Sequence, residues 1–435
     1  MRVFSLKNTP VTKYLPHDIA ITNEVILPNT KQLAHYAIQG ANIFGKFMLM
    51  LGLARFLDLS DLGLYATTIA AFGILQPMMN LQFGRYTYRG CASATPEEVV
   101  HHMRHYIGLL LCMLCIGTPI MGAYVQTSLE AEHVFWVVLL LVANVLAMEI
   151  SNLLMVRQYS TRYMIAVFIG QSAWIYVLLG LWLFELRTPD LIDVWRFWAV
   201  SACASLCMSL IVVRRYPWRR TLWAFDWPWM KEGLRVSPMN LAVLICGIGI
   251  LNSTIFFVKH YHGLEAAGVY GFFFAVILGI RQWVMGGSYV MQEPKLFKNW
   301  DAENIAGFKH ETRVMFRDSL MAYGVAALIA IPGIYLVLGA TNEAIPESAM
   351  PLYWGFLAAA AMVLMCDLGQ VVGFAQRAWG RLATLNAIAL VVHIGLCAFI
   401  MTQFDYIYAF LPILISSCVR FFLYWRHLFP VAQQQ

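Results

Sequence analysis

The sequence predicts an all-α polytopic membrane protein of about twelve transmembrane helices, in two six-helix bundles related by a pseudo-two-fold axis along the membrane normal. Three observations predict it. Hydrophobic residues make up 60% of the chain and charged residues 12%, against about 45–50% and about 25% in soluble domains. The apolar residues gather in runs that match the ~20 residues a helix needs to cross a ~30 Å hydrocarbon layer. Two short blocks recur, in the same order, in both halves. Twelve crossings use about 240 positions of the 435, which leaves short loops and excludes a sizeable soluble domain.

Apolar runs between polar breaks place the spans at 33–54, 62–84, 106–126, 133–155, 162–184, 194–213, 236–257, 266–288, 316–339, 351–374, 382–402 and 405–425. The polar segment before the first span has no apolar run ending in a small-residue cleavage site, so the first span is expected to serve as its own insertion signal. Of the 30 Lys and Arg, 23 fall on the side of the termini, 4 on the other (Arg55, Arg187, Arg196, Lys259) and 3 inside spans. Both termini are therefore expected in the cytoplasm, and the net charge of +6 reads as a topology signal rather than a nucleic-acid footprint. The expected units are a cytoplasmic tail at 1–32, an N-terminal bundle at 33–213, a linker at 214–235, a C-terminal bundle at 236–425 and a tail at 426–435. From Tyr216 to Lys231 that linker carries four Trp with Arg219, Arg220 and Lys231, the composition of a segment lying on the inner leaflet among lipid head groups.

The repeats are Leu59-Ser-Asp-Leu-Gly-Leu-Tyr65 with Leu264-Glu-Ala-Ala-Gly-Val-Tyr270, and Glu149-Ile-Ser-Asn-Leu-Leu-Met-Val-Arg-Gln158 with Asp367-Leu-Gly-Gln-Val-Val-Gly-Phe-Ala-Gln376. With six spans per half the repeats share one orientation, the layout of carriers that alternate access to a cavity between two bundles.

Charges inside spans cost at least ~2.5–3.5 kcal/mol on insertion scales, so they face water, a partner or a ligand. Lys46 lies near the middle of span one, too deep to snorkel. Arg281, Arg420, Glu149 and Asp367 fall in the cytoplasmic third of spans eight, twelve, four and ten. The two arginines line the cavity or pair with the acids; Glu149 and Asp367 are either structural partners or take up a coupling proton or sodium ion. Arg85 and Arg89, after span two, either anchor the inner surface or meet a phosphate at the cavity mouth.

Other motifs fail on chemistry. Gly40-Ala-Asn-Ile-Phe-Gly45-Lys46-Phe47 imitates a phosphate-binding loop but lacks its Ser or Thr and lies in an apolar helix. His101, His102 and His105 near Glu97 and Glu98 have metal-like spacing on a loop where a solvated face is the simpler reading. Eight of the nine cysteines sit in apolar runs as small hydrophobes, with neither a disulfide framework nor a metal site. No cofactor, metal or catalytic residue is expected.

Ala54-Arg55-Phe56-Leu57 followed by Leu62-Gly63-Leu64-Tyr65, with Gly268-Val269-Tyr270 running on to Gln292-Glu293-Pro294, resembles the polysaccharide and oligosaccharide flippase family, in the superfamily that also holds multidrug and toxin extruders. The resemblance implies a bacterial inner-membrane carrier, not an enzyme. It would move an undecaprenyl-pyrophosphate-linked oligosaccharide to the outer leaflet beside membrane polysaccharide polymerase and chain-length components, as in O-antigen or exopolysaccharide synthesis. It also implies that cavity cations hold the pyrophosphate, at Lys46 and Arg281; Arg420 is added on burial alone. The alternatives are a drug or metabolite extruder of the same fold, expected to carry an acidic cavity, a structural subunit of a polysaccharide assembly complex, and a membrane glycan polymerase, which would need catalytic residues in a long outer loop.

Overall fold

The computed structural model describes residues 30–91, 94–127, 131–157, 159–218, 225–285, 290–341 and 345–428. The tails 1–29 and 429–435 and the linker residues 219–224 lie outside the described residues. All regular elements among the described residues are helical: α1 (Thr30–Phe56), α2 (Leu59–Asn80), α3 (Phe83–Cys91), α4 (Pro96–Gln126), α5 (Ala131–Val156), α6 (Ser160–Phe168), α7 (Trp174–Leu183), α8 (Leu191–Val213), α9 (Trp227–Asn252), α10 (Thr254–Val284), α11 (Val290–Asp301), α12 (Ile305–Ala340), α13 (Met350–Ala375), α14 (Trp379–Gln403) and α15 (Phe410–His427).

Ten helical stretches among the described residues are long and apolar enough to cross a membrane. One of them, Trp227–Val284, has 58 residues, about 87 Å of helix and nearly three times the hydrocarbon thickness. It breaks at Gly263, whose φ of 85° and ψ of −178° are open to glycine but not to other residues. Two helices of spanning length result, and α1 stands in the place of the expected first span.

Span boundaries shift where local chemistry intervenes. The expected second span, 62–84, ends early at Asn80, because Leu81 and Gln82 both adopt left-handed φ (48° and 53°) and start a separate helix, α3. Helix α4 begins ten residues before the expected third span, nucleated by Pro96 and by a reciprocal cap in which the Thr95 hydroxyl accepts from Glu98 N and the Glu98 carboxylate accepts from Thr95 N. That bond holds the Glu98 carboxyl below the usual carboxylate range. Residues Trp227 to Arg235 of the expected linker form the first turns of α9, capped by Asp226, whose side chain accepts from Trp229 N at 3.0 Å.

Between α6 and α7 the chain widens into one π-helical turn, Ile169–Ala173. Such a turn frees carbonyls from the regular ladder, and α8 supplies donors: Trp198 Nε1 to Gly170 O at 3.1 Å, Ser205 to Ala166 O at 2.7 Å, and Ser201 to Ile169 O.

Helices α1 to α8 pack largely among themselves, with α5 against α8 as the main contact, and α9 to α15 do likewise around α13, α14 and α15. The halves meet chiefly where α2 crosses α10, with further contacts of α1 on α10 and of α2 and α3 on α9. The end of the molecule where α1 starts and α15 finishes is called the terminal end below, and the opposite one the distal end.

The α2/α10 crossing is made by the first repeat block. A Cβ on Gly63 would lie 2.0 Å from Leu264 O, and one on Gly268 would lie 2.2 Å from Leu59 O. The two backbones touch, the close approach that small residues permit between membrane helices. The tyrosines that end the blocks tie each helix to its own half: Tyr65 stacks on Trp195 with centroids 5.5 Å apart, and Tyr270 meets Phe356 edge-on at 5.0 Å. The distal end is thereby closed at this crossing.

Candidate functional site

Lys46 sits on α1, about 24 Å along the helix from Thr30 and about 15 Å from Phe56. The residue is exposed at its surface although protein surrounds it at longer range. Its helix touches both halves, packing on α6 and α7 of its own and on α10 of the other. One turn before it, Asn42 is buried, with its side-chain oxygen unpartnered.

Arg281, near the end of α10, donates from Nε to Asp367 Oδ2 on α13 at 2.6 Å. Their side chains keep 26% and 11% of their exposure, so the pair sits at the edge of the packed interior. The arginine also borders a narrow pocket otherwise lined by apolar side chains, among them Leu251, Phe274, Ile277 and Phe356. Of the two structural pairings open for the acids, Asp367 takes the one with Arg281.

Glu149 takes neither. It is buried on α5, and its carboxylate accepts from Asn80 Nδ2 at 3.0 Å, from Tyr106 OH at 2.5 Å and from Tyr88 OH. Among the described residues no Lys or Arg lies within ion-pair distance of it. Three neutral donors satisfy one buried charge, which lowers the penalty for burying it. Asn80 does double duty, because its Oδ1 accepts from Gln82 N at 2.9 Å and so holds the left-handed joint between α2 and α3.

Arg420, on α15, is 4% exposed and therefore buried in the C-terminal half rather than open to the expected cavity in this structure. Its Nε donates to Asn386 Oδ1 at 2.7 Å and to Tyr424 OH at 3.0 Å, and its terminal nitrogen donates to Gln370 Oε1. Arg85 is exposed on α3, its guanidinium 5.3 Å from the Phe374 ring of α13, which makes it a bridge between the halves at the terminal end. Arg89 also lies in α3, with its side chain outside the described residues.

The histidines serve a purpose that spacing alone does not reveal. His105 Nε2 accepts from Asp226 N at 2.9 Å, His101 faces the Asp226 carboxylate at 3.5 Å, and His102 stacks on Trp229 with planes 7° apart. The Trp229 N–H and His101 hold the Asp226 carboxyl below its usual range. Together the three rings fasten the start of α9 to α4. Among the described residues no group of three or more His, Cys, Asp or Glu is arranged to hold a metal ion.

Sequence reasoning located the charges but missed their neutral partners: Asn80, Tyr88 and Tyr106 for Glu149, and Gln370, Asn386 and Tyr424 for Arg420. One had a legible signal, since Tyr424 is four residues after Arg420, the spacing that puts residues on one helix face. The others come from different helices.

No protein-family model and no curated protein matches the chain by sequence. Solved structures do match by shape. An inward-facing conformation of a multidrug resistance MATE family transporter of the MOP superfamily superposes with a TM-score of 0.65 at 13% identity, covering 93% of this chain and 99% of the other. An outward-facing conformation of such a transporter gives 0.56 at 13% identity, covering 92% and 97%. A MOP superfamily transporter from Pyrococcus furiosus, described as having a binding pocket of reverse polarity that suggests a different function, gives 0.54 at 12% identity, covering 92% and 96%. The chain thus has the fold of the MOP superfamily transporters, an all-helical multi-pass membrane architecture.

Proposed function

We propose that this protein is a MOP superfamily transporter of the flippase kind, moving a lipid-linked oligosaccharide with a pyrophosphate head group between leaflets by alternating access. The observation that carries the reading is Lys46: a cation at mid-depth, exposed at its surface and surrounded by protein at longer range, on a helix that touches both halves. A lone cation in such a place costs free energy unless water or an anion meets it. Arg281 borders a pocket within the C-terminal half, and Arg85 stands at the terminal end, where a head group would enter from the cytoplasm if the termini lie there. The Pyrococcus protein of the same fold is described as having a binding pocket of reverse polarity, so the fold is not tied to one pocket polarity.

The electrical direction agrees. A pyrophosphate of about two charges gains ~2.3 kcal/mol per charge per 100 mV on leaving a negative-inside cell. Glu149 is the proposed site for a coupling ion, because it is buried on α5 with no Lys or Arg within ion-pair distance among the described residues.

The test is transfer of a fluorescent undecaprenyl-pyrophosphate oligosaccharide between leaflets of proteoliposomes. Lys46→Ala and Arg281→Ala should each weaken apparent affinity at least roughly 30-fold, from the ~2 kcal/mol lost when one partner of a charge-assisted pair is removed. Transfer at the native rate in both variants refutes the assignment. Uptake of cationic dyes with no lipid transfer establishes the extruder reading instead.

A further inference from the structure

Two arginines of the C-terminal half are provided for unequally. Arg281 has a carboxylate, Asp367, at 2.6 Å. Arg420 is far more buried, yet its partners are an amide of Asn386, an amide of Gln370 and the Tyr424 hydroxyl, all neutral, and no carboxylate among the described residues comes within ion-pair distance of it. A buried guanidinium without a counterion is among the more expensive things a protein can hold. The helix that could supply one is already there. Asp367 and Gln370 lie three residues apart on α13, hence on one face, with Gln370 bonded to Arg420 and Asp367 close enough for its charge to act on it. On the other side of the guanidinium is Gly247, where a side chain's first carbon would already be in contact with both terminal nitrogens, at 3.6 and 3.9 Å, and with the Gln370 oxygen at 3.9 Å.

We infer that Asp367 is an exchangeable counterion: in the empty carrier it neutralises Arg281, and when an anionic head group takes Arg281 the carboxylate is handed to Arg420. The inference rests on the reading above that the carried head group is anionic. It adds the residue that sets which anions are accepted. A ligand reaches Arg281 only by displacing a carboxylate already bonded there, so its affinity is its gross interaction less the cost of that displacement. A diphosphate, with two charges and paired oxygens for a guanidinium fork, overcomes the competitor better than a monophosphate does. Arg420 lowers the displacement cost by receiving the released carboxylate through a change of Asp367 rotamer.

The experiment is calorimetric titration of the detergent-purified full chain with farnesyl pyrophosphate and farnesyl monophosphate. The native protein should prefer the pyrophosphate. Asp367→Asn removes the competitor and should bind the monophosphate about tenfold tighter, narrowing the preference. Arg420→Gln leaves the displaced carboxylate without a receiver and should weaken pyrophosphate binding, whereas D367N/R420Q should return to the D367N value, the non-additivity that marks coupled residues. Monodisperse elution and an unfolding temperature check assembly, and the D367N comparison decides alone if R420Q does not assemble. Native binding with D367N equal to or weaker than it overturns the exchange and leaves the proposed function standing. Absence of binding in every variant overturns both.

Discussion

Replacing Gly63 with Ala is the sharpest probe of the crossing between α2 and α10. The added carbon would sit 2.0 Å from the Leu264 carbonyl oxygen, whereas carbon–oxygen contacts between helices settle at about 3.3–3.6 Å. No rotamer relieves the clash, because the obstructing atom is backbone, so the helices must separate by about 1.3 Å. Overpacking of this kind costs ~1–3 kcal/mol, and the cost falls only on the conformation in which the crossing is closed. The ratio of distal-closed to distal-open molecules should therefore drop roughly 5- to 150-fold, at tenfold per 1.4 kcal/mol. Spin labels at Asp58→Cys and Glu265→Cys, in a background free of the native cysteines, would report it by pulsed electron resonance as a second, longer distance whose population grows in G63A. Glu265 is exposed and Asp58 flanks the start of α2, so labels at these places need not enter the crossing. An unchanged distance distribution would refute the idea that backbone contact between the repeat blocks closes this end.

Two further outcomes follow from the geometry. Tyr106→Phe removes one of three donors to the buried Glu149 carboxylate and should lower stability by ~1.5–3 kcal/mol, the usual worth of a hydrogen bond to a charged group; an unchanged unfolding temperature in detergent would show that the cage does not stabilise the fold. His102 is held below its ordinary value of 6.5, first by burial and then by His101. Its stacked, neutral form therefore contributes fully above about pH 6.5, and the contribution is lost as pH falls below it. Hydrogen exchange of residues 225–235, corrected for intrinsic rates, should rise between pH 7 and 5 in the native protein and stay flat in His102→Gln; the same rise in both would remove the histidine from the explanation.

Much of the architecture was legible in one dimension because the bilayer acts on single helices. Each span must satisfy its own backbone and present an apolar surface over a fixed thickness, so apolar run length, polar breaks and the depth of Lys46 could all be counted along the chain. The repeat blocks were visible too, as a recurring Leu, Gly and Tyr. Their meeting was not, since nothing in either block says that Gly63 and Gly268 face each other; that follows from how α2 and α10 cross. The same limit applies to the charges. Glu149 and Asp367 occupy equivalent places in the second repeat, yet one is held by Asn80, Tyr88 and Tyr106 and the other by Arg281.

The helical membrane architecture and the places where charge interrupts lipid-compatible runs were fixed along the chain, since both depend on interactions between a residue and its solvent. It took the tertiary structure to decide which buried charge meets an opposite charge and which meets neutral hydrogen-bond partners. Those outcomes depend on side chains from separate helices 43 to 86 residues apart, as with Tyr106 and Glu149 or Arg281 and Asp367. Hydrogen bonds act over about 3 Å, and no spacing along the chain encodes a distance that short between separate helices.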